Sequence, residues 1–222
     1  VDAALLSTYG TALAVINESA QQARLGKMLN TSAAQTLASQ LADDMIEDQA
    51  KLLGLLSIRR HDEYTFQHSL NICILALALG MAMGLDRPRL HELGLAAFLH
   101  DVGKAWVPLE ILRKPGPLSQ QEVALIQQHP IRGAAYLSQQ SGVPPVAAVV
   151  AFQHHLRYDQ RGYPELRWPQ SQNAYSLVVG IADAYEALTS ERPYRRPLGP
   201  EGALKLMLES PRGEFEPRML DV

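Results

Sequence analysis

Hydrophobic residues recur along this chain mainly at the three- and four-residue spacing of amphipathic helices. No segment has the sustained alternation or the β-branched enrichment that is typical of strands. Glycine and proline divide the chain into pieces of helical length. We therefore predict an all-α fold, with helices over residues 3–25, 33–56, 65–83, 88–100, 122–129, 131–140, 145–155, 175–189 and 201–208.

Local signals add detail to this helical pattern. Ser32 with Gln35 and Ser119 with Glu122 match the capping box that begins a helix. The first two helices are expected to form an N-terminal helical hairpin. Residues 157–173, rich in glycine, proline, arginine and aromatics, are too long and irregular for a simple connector, and such loops are often functional.

Composition limits the classes of protein that fit. A chain of 222 residues with 47% hydrophobic residues can bury one sizeable core. The apolar run 72–85 is shorter than the roughly 18 to 20 residues of a membrane span and predicts a buried core helix. The single cysteine, Cys73, cannot form an intrachain disulfide, which fits a reducing cytoplasm. A net charge of −3 argues against binding nucleic-acid polymers. The chain begins at Val1, and we expect it to be part of a longer protein.

The string HDVGK carries the most specific chemistry. On a helix, His100 and Asp101 would point about 100° apart and could ligate one ion together, while the second oxygen of Asp101 reaches another ion. Lys104, at i+4 from His100 and i+3 from Asp101, would return to the same face and place a positive charge there. The alternative is a helix C-terminus at which Gly103 ends the last turn.

Five further residues could join His100 and Asp101 at a metal. The neighbouring pair His154 and His155 precedes a polar loop, and Asp183 lies in an apolar helix where a carboxylate needs a partner. His68 and His129, each taken alone, are more typical of structural histidines than of metal ligands. For Asp183 the alternative is a surface position.

The order of these motifs resembles the HD-GYP family of cyclic dinucleotide phosphodiesterases, in the HD superfamily of metal-dependent phosphohydrolases. The resemblance covers about residues 62–219 and rests on DEYTFQHS, HDVGK, KPGPLS with HPIRG, HH with RGYP, IADAYEALTSERPYR and FEP. It implies an HD-type helical bundle over residues 61–222. Residues 1–60 are then an N-terminal segment that transmits a signal or mediates a homodimer.

The resemblance also implies a two-metal centre of iron or manganese. The first ion would take His68, His100, Asp101 and Asp183. The second would take Asp101, His129, His154 and His155. Some members bind a third ion through a glutamate at the position of Tyr64, so we expect two ions here. Such a donor set also suits zinc or nickel.

The implied reaction opens cyclic di-GMP to linear pGpG by a hydroxide held between the two ions, and further cleavage to GMP is left open. Lys104 would stabilise charge on the phosphate, with Arg192, Arg195 and Tyr194 contacting the substrate. Alternatives are a preference for 3′,3′-cyclic GMP-AMP, or a catalytically silent module that binds a cyclic dinucleotide or docks onto a partner.

The loop that contains Gly162, Tyr163 and Pro164, called the GYP loop below, departs with its flanking residues from the family pattern at two positions. Leu156 replaces a common glutamate and Gln160 a common glycine, which puts the shape of the loop in question. In the family this loop is linked to partners of the diguanylate cyclase type. Glu216 in FEP replaces the commoner aspartate, a mild change.

Overall fold

The structure is a computed structural model that describes residues 3–58, 64–190, 196–210 and 213–221. Within these ranges no β-strand occurs, only an isolated bridge between Leu156 and Gly162, so the all-α prediction is confirmed. The α-helices are α1 (Ala3–Arg24), α2 (Thr31–Glu47), α3 (Gln49–Leu53), α4 (Tyr64–Ala82), α5 (Arg87–Leu99), α6 (Leu109–Leu112), α7 (Gln120–Ile126), α8 (His129–Leu137), α9 (Pro145–Gln153), α10 (Ala174–Thr189), α11 (Pro200–Leu208) and α12 (Pro217–Leu220).

Helix α4 lies at the centre of the fold. It packs against α5, α10, α1 and α2, and its apolar residues are fully buried on several faces. Leu70, Ile72, Ile74 and Leu77 all belong to this core. The apolar run that begins at Ile72 is therefore a core helix, as predicted, because apolar residues all round a helix require neighbours on every side. None of the described helices has the length and hydropathy needed to cross a membrane.

The first two helices share this core. Tyr9 and Leu13 of α1 and Leu37 and Leu41 of α2 are buried in the same apolar cluster as α4 and α5. The end of α1 also reaches the HDVGK segment, where the Arg24 guanidinium donates to the Ala105 carbonyl at 3.0 Å. The N-terminal helices thus pack directly against the part of the fold that carries HDVGK.

The prediction of one continuous helix over residues 33–56 is wrong. Asp48 leaves the helical conformation, with φ −151° and ψ 83°, and divides the segment into α2, α3 and a 3₁₀ turn, Gly54–Ser57. Its carboxylate accepts from the Lys51 backbone N–H and so begins a new helix. Aspartate competes with helix continuation in this way because its short side chain bonds nearby backbone groups.

One of the two predicted capping boxes is confirmed. Ser119 accepts from the Glu122 N–H, and the Glu122 carboxylate accepts from the Ser119 N–H at 2.7 Å. The capping box at Ser32 is wrong, because α2 starts earlier and Asn30 caps it by accepting from the Ala33 N–H. Ser32 consequently falls inside the first turn.

The Cys73 thiol is expected to be unreactive in the folded protein. It is fully buried in α4, its Sγ donates to the Gly94 carbonyl at 3.4 Å, and burial raises its pKa to about 12. At pH 8 a thiol reagent should label it only after denaturation, since the thiolate is the reactive form. Mass spectrometry after short labelling measures this, with the exposed Ser7→Cys variant as the reactive control. Rapid labelling of native Cys73 would contradict its burial.

Candidate metal centre

The seven residues predicted as metal ligands come from five parts of the fold and meet at one place. They are His68 in α4, His100 and Asp101 after α5, His129 at the start of α8, His154 and His155 after α9, and Asp183 in α10. His155 and Asp183 are partly exposed, and the other five are buried. Since helices α4 and α5, α8 and α9, and α9 and α10 pack on one another, the ends that carry these side chains converge.

Asp101 lies at the centre of the cluster. Its Oδ1 faces Nε2 of His129 at 3.2 Å and Nε2 of His154 at 3.7 Å. Its Oδ2 faces Nε2 of His68 at 3.5 Å and Nε2 of His100 at 3.4 Å. The two carboxylate oxygens thus face two different pairs of histidines.

Ligand atoms fall into two groups that share Asp101. In each group the candidate atoms lie within 4.8 Å of one another: one holds Asp101, His129, His154 and His155, the other His68, His100 and Asp101. Asp183 belongs to neither group by this distance. Its Oδ1 lies 3.3 Å from His68 Nε2 and its Oδ2 lies 3.5 Å from His155 Nδ1, so it contacts one histidine of each group.

Backbone carbonyls orient three of the buried imidazoles. In each ring Nδ1 lies against a carbonyl three or four residues earlier, and because a carbonyl only accepts, Nδ1 carries the proton. The contacts are His100 to Ala97 at 2.6 Å, His129 to Ile126 at 2.7 Å, and His154 to Ala151 at 3.0 Å and Val150 at 3.1 Å. Their Nε2 atoms therefore present lone pairs toward Asp101.

This arrangement fits a bound cation. Lone pairs of Nε2 face lone pairs of the Asp101 carboxylate, and such pairs repel unless a cation lies between them. In the described part of the chain, His100 Nε2 and Asp101 Oδ1 are buried without a hydrogen-bond partner, which is costly for polar atoms. Imidazole nitrogens and carboxylate oxygens suit divalent iron, manganese, zinc or nickel. The residues present thus fit the metal predicted from the sequence.

The electrostatics of His154, His155 and Asp101 favour the protonation states in which these side chains bind a metal. Burial lowers the pKa of His155 to about 3 and holds the pKa of His154 well below its usual range. Burial would raise the pKa of Asp101, but Lys104 and His100 outweigh it and hold that pKa well below the ordinary value. At neutral pH the imidazoles of His154 and His155 are therefore neutral and the Asp101 carboxylate is ionised.

The HDVGK segment is not one continuous helix, which corrects the placement expected for Lys104. Helix α5 ends at Leu99 and a 3₁₀ turn follows, Val102–Trp106. In a 3₁₀ turn residues i and i+3 eclipse, so Lys104 lies over Asp101 and its ammonium donates to Asp101 Oδ2. Of the two relations expected on a helix, i+4 to His100 and i+3 to Asp101, the i+3 relation is the one that brings the charge of Lys104 to the cluster.

Two glycines, Gly103 and Gly180, allow histidine-bearing segments to approach each other, a role that was not predicted from the sequence. A Cβ on Gly103 would lie 1.9 Å from the His129 carbonyl oxygen, and one on Gly180 would lie 2.9 Å from the His154 carbonyl oxygen. Gly103 therefore does more than end a turn. A possible signal was the repeated placement of glycine near each histidine-rich motif.

The GYP loop packs directly on His155. Gly162 has φ +91°, and a Cβ there would lie 2.3 Å from the His155 carbonyl oxygen. The Tyr163 N–H donates to the same carbonyl at 3.3 Å, and the Tyr163 ring centre lies 4.5 Å from that of His155. Gln160 adopts φ +65°, the left-handed conformation that glycine adopts most easily, so this loop keeps a glycine-like turn without a glycine.

Glu186 is a further buried residue at the cluster that the sequence analysis missed. Its Oε2 lies 2.9 Å from His68 Nδ1. Burial opposes its ionisation, but the charge of His68 and the hydrogen bonds from His68, Ser190 and Asn71 together outweigh burial and lower the pKa of the carboxyl. The available signal was its position three residues after Asp183, which places it on the same face of α10.

The predicted substrate-contacting residues Arg192, Tyr194 and Arg195 lie outside the described residues, and so does the side chain of Tyr64. The two-ion count inferred from Tyr64 and the contacts of these arginines with the substrate therefore stay predictions. The described neighbour Arg196 is exposed.

The described residues form a helical fold with a largely buried cluster of histidines and aspartates, which is typical of a metal-binding protein. The HD domain family model matches residues 40–219. The chain belongs to the HD domain family, and the recognition made from its motifs is confirmed.

Several relatives are similar to this chain. A cyclic di-GMP phosphodiesterase of Pseudomonas aeruginosa is 35% identical over 202 residues, 90% of this chain and 48% of the relative. One of Thermotoga maritima is 32% identical over 81% of this chain and 49% of the relative. A 3′3′-cGAMP-specific phosphodiesterase of Vibrio cholerae is 34% identical over 72% of this chain and 37% of the relative. The chain spans about half the length, or less, of these relatives.

A solved structure has the same fold. It is an HDG"Y"P protein from Bdellovibrio bacteriovorus, with a TM-score of 0.79 and 20% sequence identity, covering 96% of this chain and 68% of that protein. At this identity the likeness concerns the fold alone.

Proposed function

We propose that this domain hydrolyses cyclic di-GMP to linear pGpG. The observation that carries the proposal is the convergence of four Nε2 atoms on the two oxygens of Asp101, with the Lys104 ammonium beside them. Relatives named as cyclic di-GMP phosphodiesterases match up to 90% of the chain, which supports the substrate class.

The site would hold two divalent ions, with iron the first choice and manganese the second. Asp101 would be shared between them, with His68, His100 and Asp183 on one side and His129, His154 and His155 on the other. When bound, two such ions supply a water-derived nucleophile at neutral pH and neutralise charge on the phosphoryl oxygens. Asp183 contacts a histidine of each group, and its position is compatible with support for either ion.

The other residues would bind and orient the substrate. Lys104 is partly buried, so its ammonium would attract a phosphate oxygen more strongly than a lysine in open water. Arg192 and Arg195 would contact a phosphate or a guanine edge, where a guanidinium bonds in bidentate fashion. Tyr194 would stack or pack against the substrate. Tyr163 lies over His155 and would limit the access of water to that side.

A preference for 3′,3′-cyclic GMP-AMP is the second candidate. Two relatives from Vibrio cholerae named as 3′3′-cGAMP-specific phosphodiesterases, 34% and 28% identical over the matched residues, favour it. The third alternative is a silent module that binds the dinucleotide without cutting it. The complete set of candidate ligands, together with Lys104, argues against a silent module.

Residues 1–60 would connect this activity to the rest of a longer protein. The contact between Arg24 of α1 and the carbonyl of Ala105, next to Lys104, supports a signal-transmitting role for this segment. A homodimer through the same segment is the other option. We also propose that proteins of the diguanylate cyclase type dock on the GYP loop. The proposed location of the protein is the cytoplasm.

Turnover of cyclic di-GMP tests the function. Wild-type protein reconstituted anaerobically with Fe²⁺ or Mn²⁺ is expected to convert cyclic di-GMP to pGpG, followed by liquid chromatography. The His100→Ala/Asp101→Ala double variant should be inactive because each ligand group loses a member. No turnover by the wild type with either metal would refute the enzymatic function. Equal turnover by the variant would refute the site.

A substrate panel separates the remaining alternatives. Cyclic di-GMP, 3′,3′-cyclic GMP-AMP and pGpG are compared at equal concentration with the same metal-loaded protein. Faster cleavage of cyclic di-GMP supports the first candidate and faster cleavage of the mixed dinucleotide supports the second. Release of GMP from pGpG would extend the reaction to the mononucleotide.

A further inference from the structure

His68 is held differently from the other buried histidines of the cluster. Within the described residues, His100, His129 and His154 each direct Nδ1 to a backbone carbonyl of their own segment. The Nδ1 of His68 instead lies 2.9 Å from a carboxylate oxygen of Glu186, 118 residues away in the chain. The orientation of His68 therefore depends on a tertiary contact between α4 and α10.

Glu186 is itself anchored on its opposite oxygen. Its Oε1 accepts from the Ser190 hydroxyl at 2.5 Å and from the Asn71 amide at 3.3 Å. Its Oε2 accepts from His68. Glu186 is 4% exposed, so this carboxylate is kept in the interior by its hydrogen bonds. One oxygen is thus fixed by two donors while the other is aimed at the imidazole.

We propose that Glu186 is a positioning residue for metal binding, which acts through His68. Through its hydrogen bond to Nδ1 it keeps the Nε2 atom of His68 pointed at Asp101 and Asp183, whose oxygens lie 3.5 and 3.3 Å from that atom. A carboxylate behind an imidazole also makes the imidazole a stronger ligand. The proposal rests on the metal-dependent function proposed above and adds a residue outside the predicted ligand set.

The Glu186→Gln variant removes the charge while keeping the shape of the side chain. Glutamine has one acceptor oxygen, whereas Glu186 accepts on both. If the amide NH₂ faces His68, the ring must carry its proton on Nε2, and that atom can no longer bind a metal. If the amide oxygen faces His68, the NH₂ meets the donor side of Asn71. Either orientation weakens the site.

A metal titration measures how Glu186→Gln changes the affinity for the metal, and this readout does not depend on catalysis. The metal-free protein is titrated with Mn²⁺ or Co²⁺ against a competing chelator, with circular dichroism and a melting curve to verify folding. Glu186→Gln is expected to bind about 10- to 100-fold more weakly than the wild type. Glu209→Gln, a surface glutamate beside Lys205, is the matched control and should bind as the wild type.

A double-mutant cycle tests whether the effect passes through His68. In a His68→Gln background, adding Glu186→Gln should cost little further affinity, because the ligand that Glu186 orients is already gone. Ser190→Ala, which releases one anchor of Glu186 and leaves its charge, should give a smaller loss than Glu186→Gln. This second variant keeps the test available if Glu186→Gln does not fold.

The proposal is overturned if folded Glu186→Gln binds metal as the wild type does, or if its loss is equally large in the His68→Gln background. Should Glu186→Gln not fold, unchanged affinity in Ser190→Ala overturns it. A wild-type protein that binds metal but does not cleave a cyclic dinucleotide would refute the proposed function and leave the role of Glu186 standing.

Discussion

Asp101→Asn is expected to slow turnover of the cyclic dinucleotide severely and to lower the metal content of the purified protein. The two Asp101 oxygens face different pairs of histidines, and an asparagine offers only one neutral oxygen. If the lost metal and charge stabilisation amount to about 4 kcal/mol in the transition state, the rate falls roughly a thousandfold. Metal analysis and single-turnover kinetics measure the two effects separately.

The control for this change is Asp86→Asn. Asp86 caps α5 by accepting from the Arg89 N–H, and asparagine is about as good an N-cap as aspartate. The control should therefore keep both metal and activity. If Asp101→Asn retained a full metal complement and wild-type turnover, Asp101 could not be the ligand that joins the two groups.

Gly103→Ala is expected to destabilise the fold strongly and to disrupt the metal site. The added Cβ would lie 1.9 Å from the His129 oxygen and 2.7 Å from the Gly133 nitrogen, which are backbone atoms that cannot rotate away. The 3₁₀ turn after Asp101 and helix α8 must therefore separate. We expect a cost of at least about 3 kcal/mol, which for a domain of this size is a fall in melting temperature of roughly 6 to 12 °C.

Thermal unfolding and metal titration of the same protein check the Gly103 prediction. Gly10→Ala is the control, because a Cβ there meets nothing within 4 Å and Gly10 lies in the interior of α1. That change should stabilise by about 0.5–1 kcal/mol, since alanine is the better helix former. A Gly103→Ala protein with wild-type melting temperature and metal affinity would show that the close approach at His129 is not needed.

The role of Gly103 has counterparts at Gly162 and Gly180. Each of the three would bring a Cβ within 3 Å of the carbonyl oxygen of a different candidate ligand: His129, His155 and His154. The ligands sit where segments cross, and a crossing this close leaves no room for a side chain. The glycine of the GYP motif therefore has a packing reason that applies equally to the glycine of HDVGK.

Most helices could be predicted because their causes are local. The apolar spacing of α4, the proline that opens α9 and the Ser119–Glu122 capping box all act within a few residues. The errors arose where a short polar side chain changed the local hydrogen bonding. Asp48 divided a predicted helix and Asn30 replaced Ser32 as the cap, and both changes depend on which donor the side chain reaches.

The sequence alone was sufficient to identify the seven candidate metal ligands, because they lie in recognisable motifs. Only the tertiary structure decided how they meet: that the two oxygens of Asp101 face different histidine pairs, that Asp183 touches both groups, and that Glu186 stands behind His68. Motif spacing reports local backbone geometry. The contact between His68 in α4 and Glu186 in α10 joins residues 118 positions apart in the chain. It depends on how the helices pack, which no local pattern specifies.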